Sequence, residues 1–553
     1  MRRKIVSPAW KLALLLAATC SAPDGVETAT GALTVVTFEA ESLARTTSSI
    51  GSVVTSEAGA SGGQYVAFNP NPPVNSWIEF TLPNVAAGSY DVKILYKANY
   101  NRGIVQATID GATQGSPCDE YSATATQQVA CSLGSKTLTA GNHAMRFTVN
   151  GKNASSAGFM MVIDQISLTP SGGGGSPIWV GTWSGAPQLT ETANLPPASL
   201  TNATLRQIVH VSVGGSQVRV RFSNEFGNGP VTINAAHVAV CTANPVNSTI
   251  DTATDRALAF SGSASVTIAQ GQARWSDALN FTLAPLGNLA VTVAFGSTPS
   301  NVTGHPGSRT TSYLQSGSSN VSAPNMSSAL TTDHWYIVSG VDTFADAKAI
   351  AILGDSITDG RGTTTDANNR WPDGLSRRLQ ANAATTKVAV LNQGIGGNAV
   401  VSGGLGPTAM QRFARDVLGM RGVRWVILFE GVNDIGGSSS PGQAVATSLI
   451  NAFTQFVDMA HAAGIKAYGV PITPFGGSMY DSADHQTARA TVNDWIRGGG
   501  KFDAVIDLDA AVRDPANPMN LAAAYDTGDH LHLNPAGYQK MADAIDLALF
   551  APP

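Results

Sequence analysis

Residues 347–360, AKAIAILGDSITDG, decide the fold of the C-terminal part of this chain. The first half is a short, continuous apolar run; the second turns at once to Gly354, Asp355, Ser356, Asp359 and Gly360. A run of that kind reads as a strand buried on both faces, as in parallel sheets. Four similar runs follow, at 388–391, 425–429, 466–470 and 504–508, with helical stretches such as 374–384 and 444–463 between them. The alternation predicts an α/β domain over 346–553, whose parallel sheet is covered on both faces.

In such sheets ligands bind outside the carboxyl ends of the strands. The residues found there are polar and glycine-bearing. Ser356 follows the first strand, Asn392-Gln-Gly-Ile-Gly-Gly-Asn398 the second and Gly431-Val-Asn-Asp434 the third. Near the C-terminus, Asp529-His-Leu-His532 precedes Asn534 and Pro535, a helix cap and a first helical residue. A serine hydroxyl needs a base to take its proton, and an imidazole suits that task. His532 in turn needs a carboxylate on its other nitrogen, and Asp529, three residues earlier, can reach it. The developing oxyanion needs donors, for which the N–H groups of Ser356 and Gly397 and the Asn433 amide are the candidates. His530 is a rival base, and Asp507 and Asp509 are rival orienters.

The four blocks "GDSITDG", "NQGIGGN", "GVND" and "DHLH" resemble, in order, those of GDSL-type SGNH hydrolases. The resemblance covers about residues 347–550. It implies a flavodoxin-like parallel sheet, with Ser356 as nucleophile, Gly397 and Asn433 in the oxyanion hole, and Asp529 and His532 completing a triad. No G-x-S-x-G elbow is present.

Upstream, Ser171-Gly-Gly-Gly-Gly-Ser176 reads as a flexible linker between a module at 34–170 and a β-rich accessory domain at 177–345. The first module alternates with period two at 76–82, 90–96 and 143–149, predicting a β-sandwich. Its "FEAES", "GASGGQYVAF" and "VIDQISL" segments resemble carbohydrate-binding modules of families 6 and 35, which are jelly rolls. That resemblance implies a structural calcium ion held by Glu39, Glu41 and Asp164, oxygen ligands suited to a hard cation. Sugar contacts are assigned to Tyr100 and Asn153. In the accessory domain, 205–213 and 217–223 flank Gly214-Gly215-Ser216 and predict a hairpin. His210 reads as a structural strand residue. The "WVGTWSGAP" opening is similar to a secreted xylan-esterase-like branch of the SGNH hydrolases.

With a formal net charge of -5 and no Lys/Arg cluster beyond the N-terminus, the chain offers no field for nucleic acid. Residues 1–22 read as an export signal, basic then apolar, and the apolar run at 12–18 is too short to span a bilayer. Lipid attachment at Cys20 is the alternative to plain secretion. Of the four cysteines, Cys118 and Cys131 are the candidate disulfide and Cys241 a lone buried thiol. No zinc-like spacing occurs. Together these readings predict a secreted, monomeric serine esterase. It would remove acetyl groups from a plant cell-wall polysaccharide such as xylan or pectin, with no cofactor for catalysis. A lipase or general carboxylesterase is the alternative.

Overall fold

A computed structural model describes residues 35–551, apart from 49, 69–70, 171–176, 244–245, 318–319 and 499–500. The export signal, Cys20 and the Gly/Ser linker therefore lie outside the described residues. The chain divides after Pro170 into two compact units.

In the second unit the five apolar runs become strands β1 (Lys348–Gly354), β2 (Val388–Gly394), β3 (Val423–Phe429), β4 (Lys466–Gly469) and β5 (Ala504–Val505). They form one parallel sheet in the order β2-β1-β3-β4-β5, the flavodoxin-like arrangement. Helices α1 (Ser356–Asp359), α2 (Trp371–Ala381), α3 (Ala409–Phe413) and α4 (Val432–Gly436) interleave with the first three strands. They are followed by α5 (Gly442–Ala462), α6 (Ala483–Arg497), α7 (Leu508–Val512) and α8 (Pro535–Asp543).

Strand periodicity splits the core in two. Ala349, Ala351 and Leu353 of β1 join Leu449, Phe453 and Phe456 of α5 on one face. Ile350 and Ile352 join Trp371 and Leu375 of α2 and Tyr538 of α8 on the other. A continuous apolar run is what a strand covered on both faces requires.

The β-rich region of the same unit forms mainly antiparallel sheets around its own core, which includes Val218, Val220, Val291 and Tyr336. Its first strand, Ile178–Ser184, packs along β2. The hydrogen bonds that join the regions include Gly181 N–H to Arg421 O (3.0 Å), Val390 N–H to Ser212 Oγ (3.0 Å) and Ser184 Oγ–H to Asn392 O (3.2 Å). Val180 also enters the core beneath β1 and β2.

One local expectation is corrected. The strands either side of Gly214-Gly215, Ala203–His210 and Gly215–Ser223, lie in different sheets and do not form a hairpin. A Cβ on Gly214 would sit 2.3 Å from Leu283 O, and one on Gly215 2.2 Å from Thr343 Oγ1. These glycines are needed where a strand crossing between sheets runs against other chain segments, not for a tight reversal.

The first unit holds three antiparallel sheets around Phe80, Tyr90, Phe147 and Ile166. Cys118 and Cys131 are disulfide-bonded, joining strands Ala112–Asp119 and Thr126–Leu138. Cys241, in the second unit, is a buried free thiol whose Sγ–H meets Asn247 O. No helix among the described residues is long and apolar enough to cross a membrane.

Candidate active site

Strand β1 ends at Gly354, and Asp355 caps α1 by accepting the Ile357 N–H at 2.9 Å. That cap starts the helix on Ser356, so the Ser356 N–H is a first-turn amide with no intrahelical acceptor. At the C-terminal end of the chain, Asn534 caps α8 with Pro535 as its first residue, which fixes the loop just before it. His532 in that loop points Nε2 at Ser356 Oγ, 2.8 Å away. Its Nδ1–H donates to Asp529 Oδ2 at 2.6 Å, leaving Nε2 free to accept the serine proton.

Asp529 is held in turn. Its Oδ1 accepts the N–H groups of His532 (2.8 Å) and Leu531 (3.0 Å) and the Thr527 hydroxyl (3.0 Å). Burial raises the Asp529 carboxyl, but the backbone and imidazole hydrogen bonds outweigh it and leave the pKa well below the usual carboxylate range. For His532, burial disfavours the imidazolium and outweighs the Asp529 contacts, so its pKa lies below the ordinary imidazole value. The result is an ionised orienter beside a neutral base.

The rival residues are engaged elsewhere. His530 bonds Asp526 Oδ2 at 2.6 Å and is half exposed. Asp507 and Asp509 pair with Arg497, and Asp509 also with Arg489 and Arg513. His210 bonds Asn288 Oδ1 at 2.8 Å within its sheet.

Gly397 and Asn433 line one cleft with Ser356, Asp529 and His532. Gly397 has φ +72°, open to glycine at little cost, and this presents its loop to the cleft. Asn433, in the first turn of α4, donates one Nδ2–H to Asn398 O at 2.8 Å, leaving the second free for an oxyanion. Its Oδ1 accepts the Tyr480 hydroxyl at 3.0 Å, which fixes the amide's orientation.

Tyr480 is one of several supporting residues that the sequence did not reveal. Arg412 of α3, fully buried, donates to Gly354 O (3.0 Å), Gln393 O (2.6 Å) and Glu430 Oε1 (3.1 Å), at the ends of β1, β2 and β3. It also donates to Asn398 Oδ1 (2.9 Å), so one guanidinium ties three strand ends to the loop that carries Gly397. Burial pushes Asp355 up to about 7 and raises Glu430 well above its usual range, with Asp355 adding to the latter.

The β-rich region reaches the site through His305. Its Nδ1 bonds Ala186 O (3.0 Å) and its Nε2 bonds Asp359 Oδ1 (2.9 Å). Asp359 Oδ2 accepts the Gly396 N–H at 3.0 Å, next to Gly397. The contact is close: a Cβ on Gly307 would lie 1.7 Å from Asp359 Oδ2. The cleft, about 540 Å³, is thus walled by both regions, with Gln188, Asn194 and His334 facing Ser356 and His532.

Residues 352–540 match the model of the GDSL-like Lipase/Acylhydrolase family. The C-terminal domain is therefore a GDSL-like acylhydrolase domain, which supports an ester hydrolase. No curated protein matches the chain. Among solved structures, the lipase/acylhydrolase from Enterococcus faecalis is 18% identical, covering 37% of this chain and 98% of that one, at a TM-score of 0.30. A GDSL-like lipase from Bacteroides thetaiotaomicron is 18% identical, covering 37% and 88%, at 0.27. A Paenibacillus xanthan lyase is 20% identical, covering 56% of this chain, at 0.24, and the match spans only 26% of the lyase. Such weak likenesses say nothing about substrate.

In the N-terminal unit, Asp164 Oδ2 accepts the Ser61 N–H at 3.0 Å, and Glu39 Oε1 accepts the Ser61 hydroxyl and the Gln165 amide, both at 3.0 Å. Glu39 Oε2, Glu41 Oε2 and Asp164 Oδ1 are buried without a partner. Burial and the charges of Glu39 and Glu41 raise the Asp164 pKa. Among the described residues, no three His, Cys, Asp or Glu side chains stand together as a ready-made metal site. The orphaned carboxylate oxygens are of the kind a hard cation takes. Tyr100 is exposed, and its carbonyl accepts the Ala157 N–H (2.9 Å) beside the loop of Asn153, whose side chain bonds Asp119 Oδ2 at 2.7 Å.

Proposed function

We propose that the protein is a secreted serine esterase that removes acetyl groups from a plant cell-wall polysaccharide. The observation that carries this reading is the Ser356–His532–Asp529 chain of hydrogen bonds, set in a cleft that the β-rich region also lines. Arg309, His334 and Arg361 in that cleft can hydrogen-bond a sugar. In the first half-reaction, Ser356 Oγ attacks the acetyl carbonyl as its proton passes to His532 Nε2. The carbonyl oxygen becomes an oxyanion, met by the N–H groups of Ser356 and Gly397 and the Asn433 amide. The C–O bond to the sugar breaks, the sugar oxygen takes the proton from His532, and an acetyl-serine is left. Water then repeats the sequence, giving up a proton to His532, and acetate leaves as Ser356 Oγ recovers its proton.

In this reading the N-terminal unit is a sugar-binding module of the family 6 and 35 type, with Tyr100 and Asn153 on its binding face. A calcium ion at Glu39, Glu41 and Asp164 would neutralise their crowded charge and join the two ends of the module. Tethering a polymer-binding module to an esterase raises the local concentration of ester. Acetate release from a panel of acetylated polysaccharides, with the Ser356→Ala protein as blank, tests the proposal. Release from at least one polymer, lost in the variant, is expected; turnover of long-chain esters alone would overturn it.

A further inference from the structure

Two cations face Ser356 without a counter-charge. Arg309, on the loop that follows His305, and Arg361, just beyond α1, both line the cleft. Among the described residues neither guanidinium has an ion-pair or hydrogen-bond partner, and Arg309 Nε is buried. A buried donor left unmade carries a real penalty, larger for a charged group. The backbone at Arg309 is strained as well, at φ +50°, where side-chain-bearing residues rarely sit.

Neighbouring bonds lock that strain in place. The Asp366 N–H donates to Arg309 O at 2.9 Å, and the Ser308 hydroxyl reaches Thr310 O (2.9 Å) and Asp333 O (2.6 Å). The loop is fixed to present the arginine and leaves it unsatisfied. Both positive charges also depress the basicity of His532, so both lie within electrostatic reach of the reacting ester. The carboxylates of the cleft are already engaged: Asp529 by His532, Asp359 by His305, and Glu191 by the amides of Gln188 (2.6 Å) and Asn194 (3.0 Å).

We infer that Arg309 and Arg361 clamp a carboxylate of the substrate, so that the preferred ester is an acetyl group on a uronate-bearing polymer. A planar guanidinium fork matches a carboxylate, which a neutral sugar does not offer. The inference rests on the carbohydrate-esterase reading and narrows it.

The test compares acetate release from acetylated polygalacturonate and acetylated xylan by the wild-type protein and by Arg309→Gln and Arg361→Gln. The wild type is expected to favour the polyuronate, with a preference that shrinks as salt rises. In each variant the ratio of kcat/KM values falls about tenfold or more, chiefly through KM, as loss of a charge-assisted hydrogen bond implies. Arg309→Lys should restore part of it. A second arm needs no polymer: galacturonate, but not galactose, should inhibit p-nitrophenyl acetate hydrolysis, and less so in Arg309→Gln. Equal release from both polymers, unmoved by the substitutions, overturns the clamp and leaves the esterase reading standing. Inert polymers with galacturonate inhibition intact overturn the polysaccharide reading and leave the clamp standing.

Discussion

His305 Nε2 lies 2.9 Å from Asp359 Oδ1, joining the β-rich region to the residue three positions beyond the nucleophile. Both side chains are buried. Both ring nitrogens are engaged, the other one with Ala186 O at 3.0 Å. Through Asp359 Oδ2 the link continues to Gly396, beside Gly397, the proposed oxyanion donor. The β-rich region thereby supports the wall of the cleft that holds Ser356.

Replacing His305 by Ala would strand the Asp359 carboxylate. Taking a hydrogen-bond partner from a buried group costs about 1–3 kcal/mol, so a lower melting temperature is expected. A fall in kcat with little change in KM should accompany it, because the oxyanion loop loses its anchor. Unchanged kcat and melting temperature would show that the link positions nothing.

At Asn433 the direct donor and its support should separate. Asn433→Ala is expected to lower kcat by about 10²–10³, as loss of an oxyanion donor does. Tyr480→Phe removes one hydrogen bond to that amide, worth about 1 kcal/mol, and should cost roughly fivefold. Steady-state kinetics on p-nitrophenyl acetate would distinguish them, and an Asn433→Ala loss below tenfold would contradict the assigned role.

The pH profile follows from His532. A base acts only when neutral, and burial has lowered its pKa. The acid limb of kcat/KM should therefore lie below the ordinary imidazole value of about 6.5. Asp529, lowered further, stays ionised throughout. An inflection above that value, or no acid limb, would count against this geometry.

Much of this was legible in the sequence. The apolar runs announced a parallel sheet, and their polar ends gathered at one rim, because strand direction alone sets where those loops go. The Asp529–His532 pair was legible since both lie in one turn. Tyr480, Arg412 and His305 were not, because each reaches its partner across long stretches of chain that only the tertiary fold brings together. Gly214-Gly215 misled for a related reason: glycine serves close packing as readily as it serves turns, and only the neighbours tell which.

A cation test addresses the N-terminal module. With its folded-state pKa raised, Asp164 disfavours folding as pH rises through that value and the carboxyl ionises among Glu39 and Glu41. A bound calcium ion would offset this. Chelator should then lower the module's melting temperature more at neutral than at acidic pH, and Asp164→Asn should blunt the effect. A melting curve indifferent to chelator at neutral pH would remove these residues from a metal site.

The central claim is that Ser356 carries the acyl group, and trapping it is the most direct test. Brief acid quenching during turnover of p-nitrophenyl acetate, followed by peptide mass spectrometry, should find an acetyl group on the peptide containing Ser356, absent from Ser356→Ala. Hydrolysis at the wild-type rate by that variant, or acetylation at another residue with Ser356 unmodified, would contradict the account.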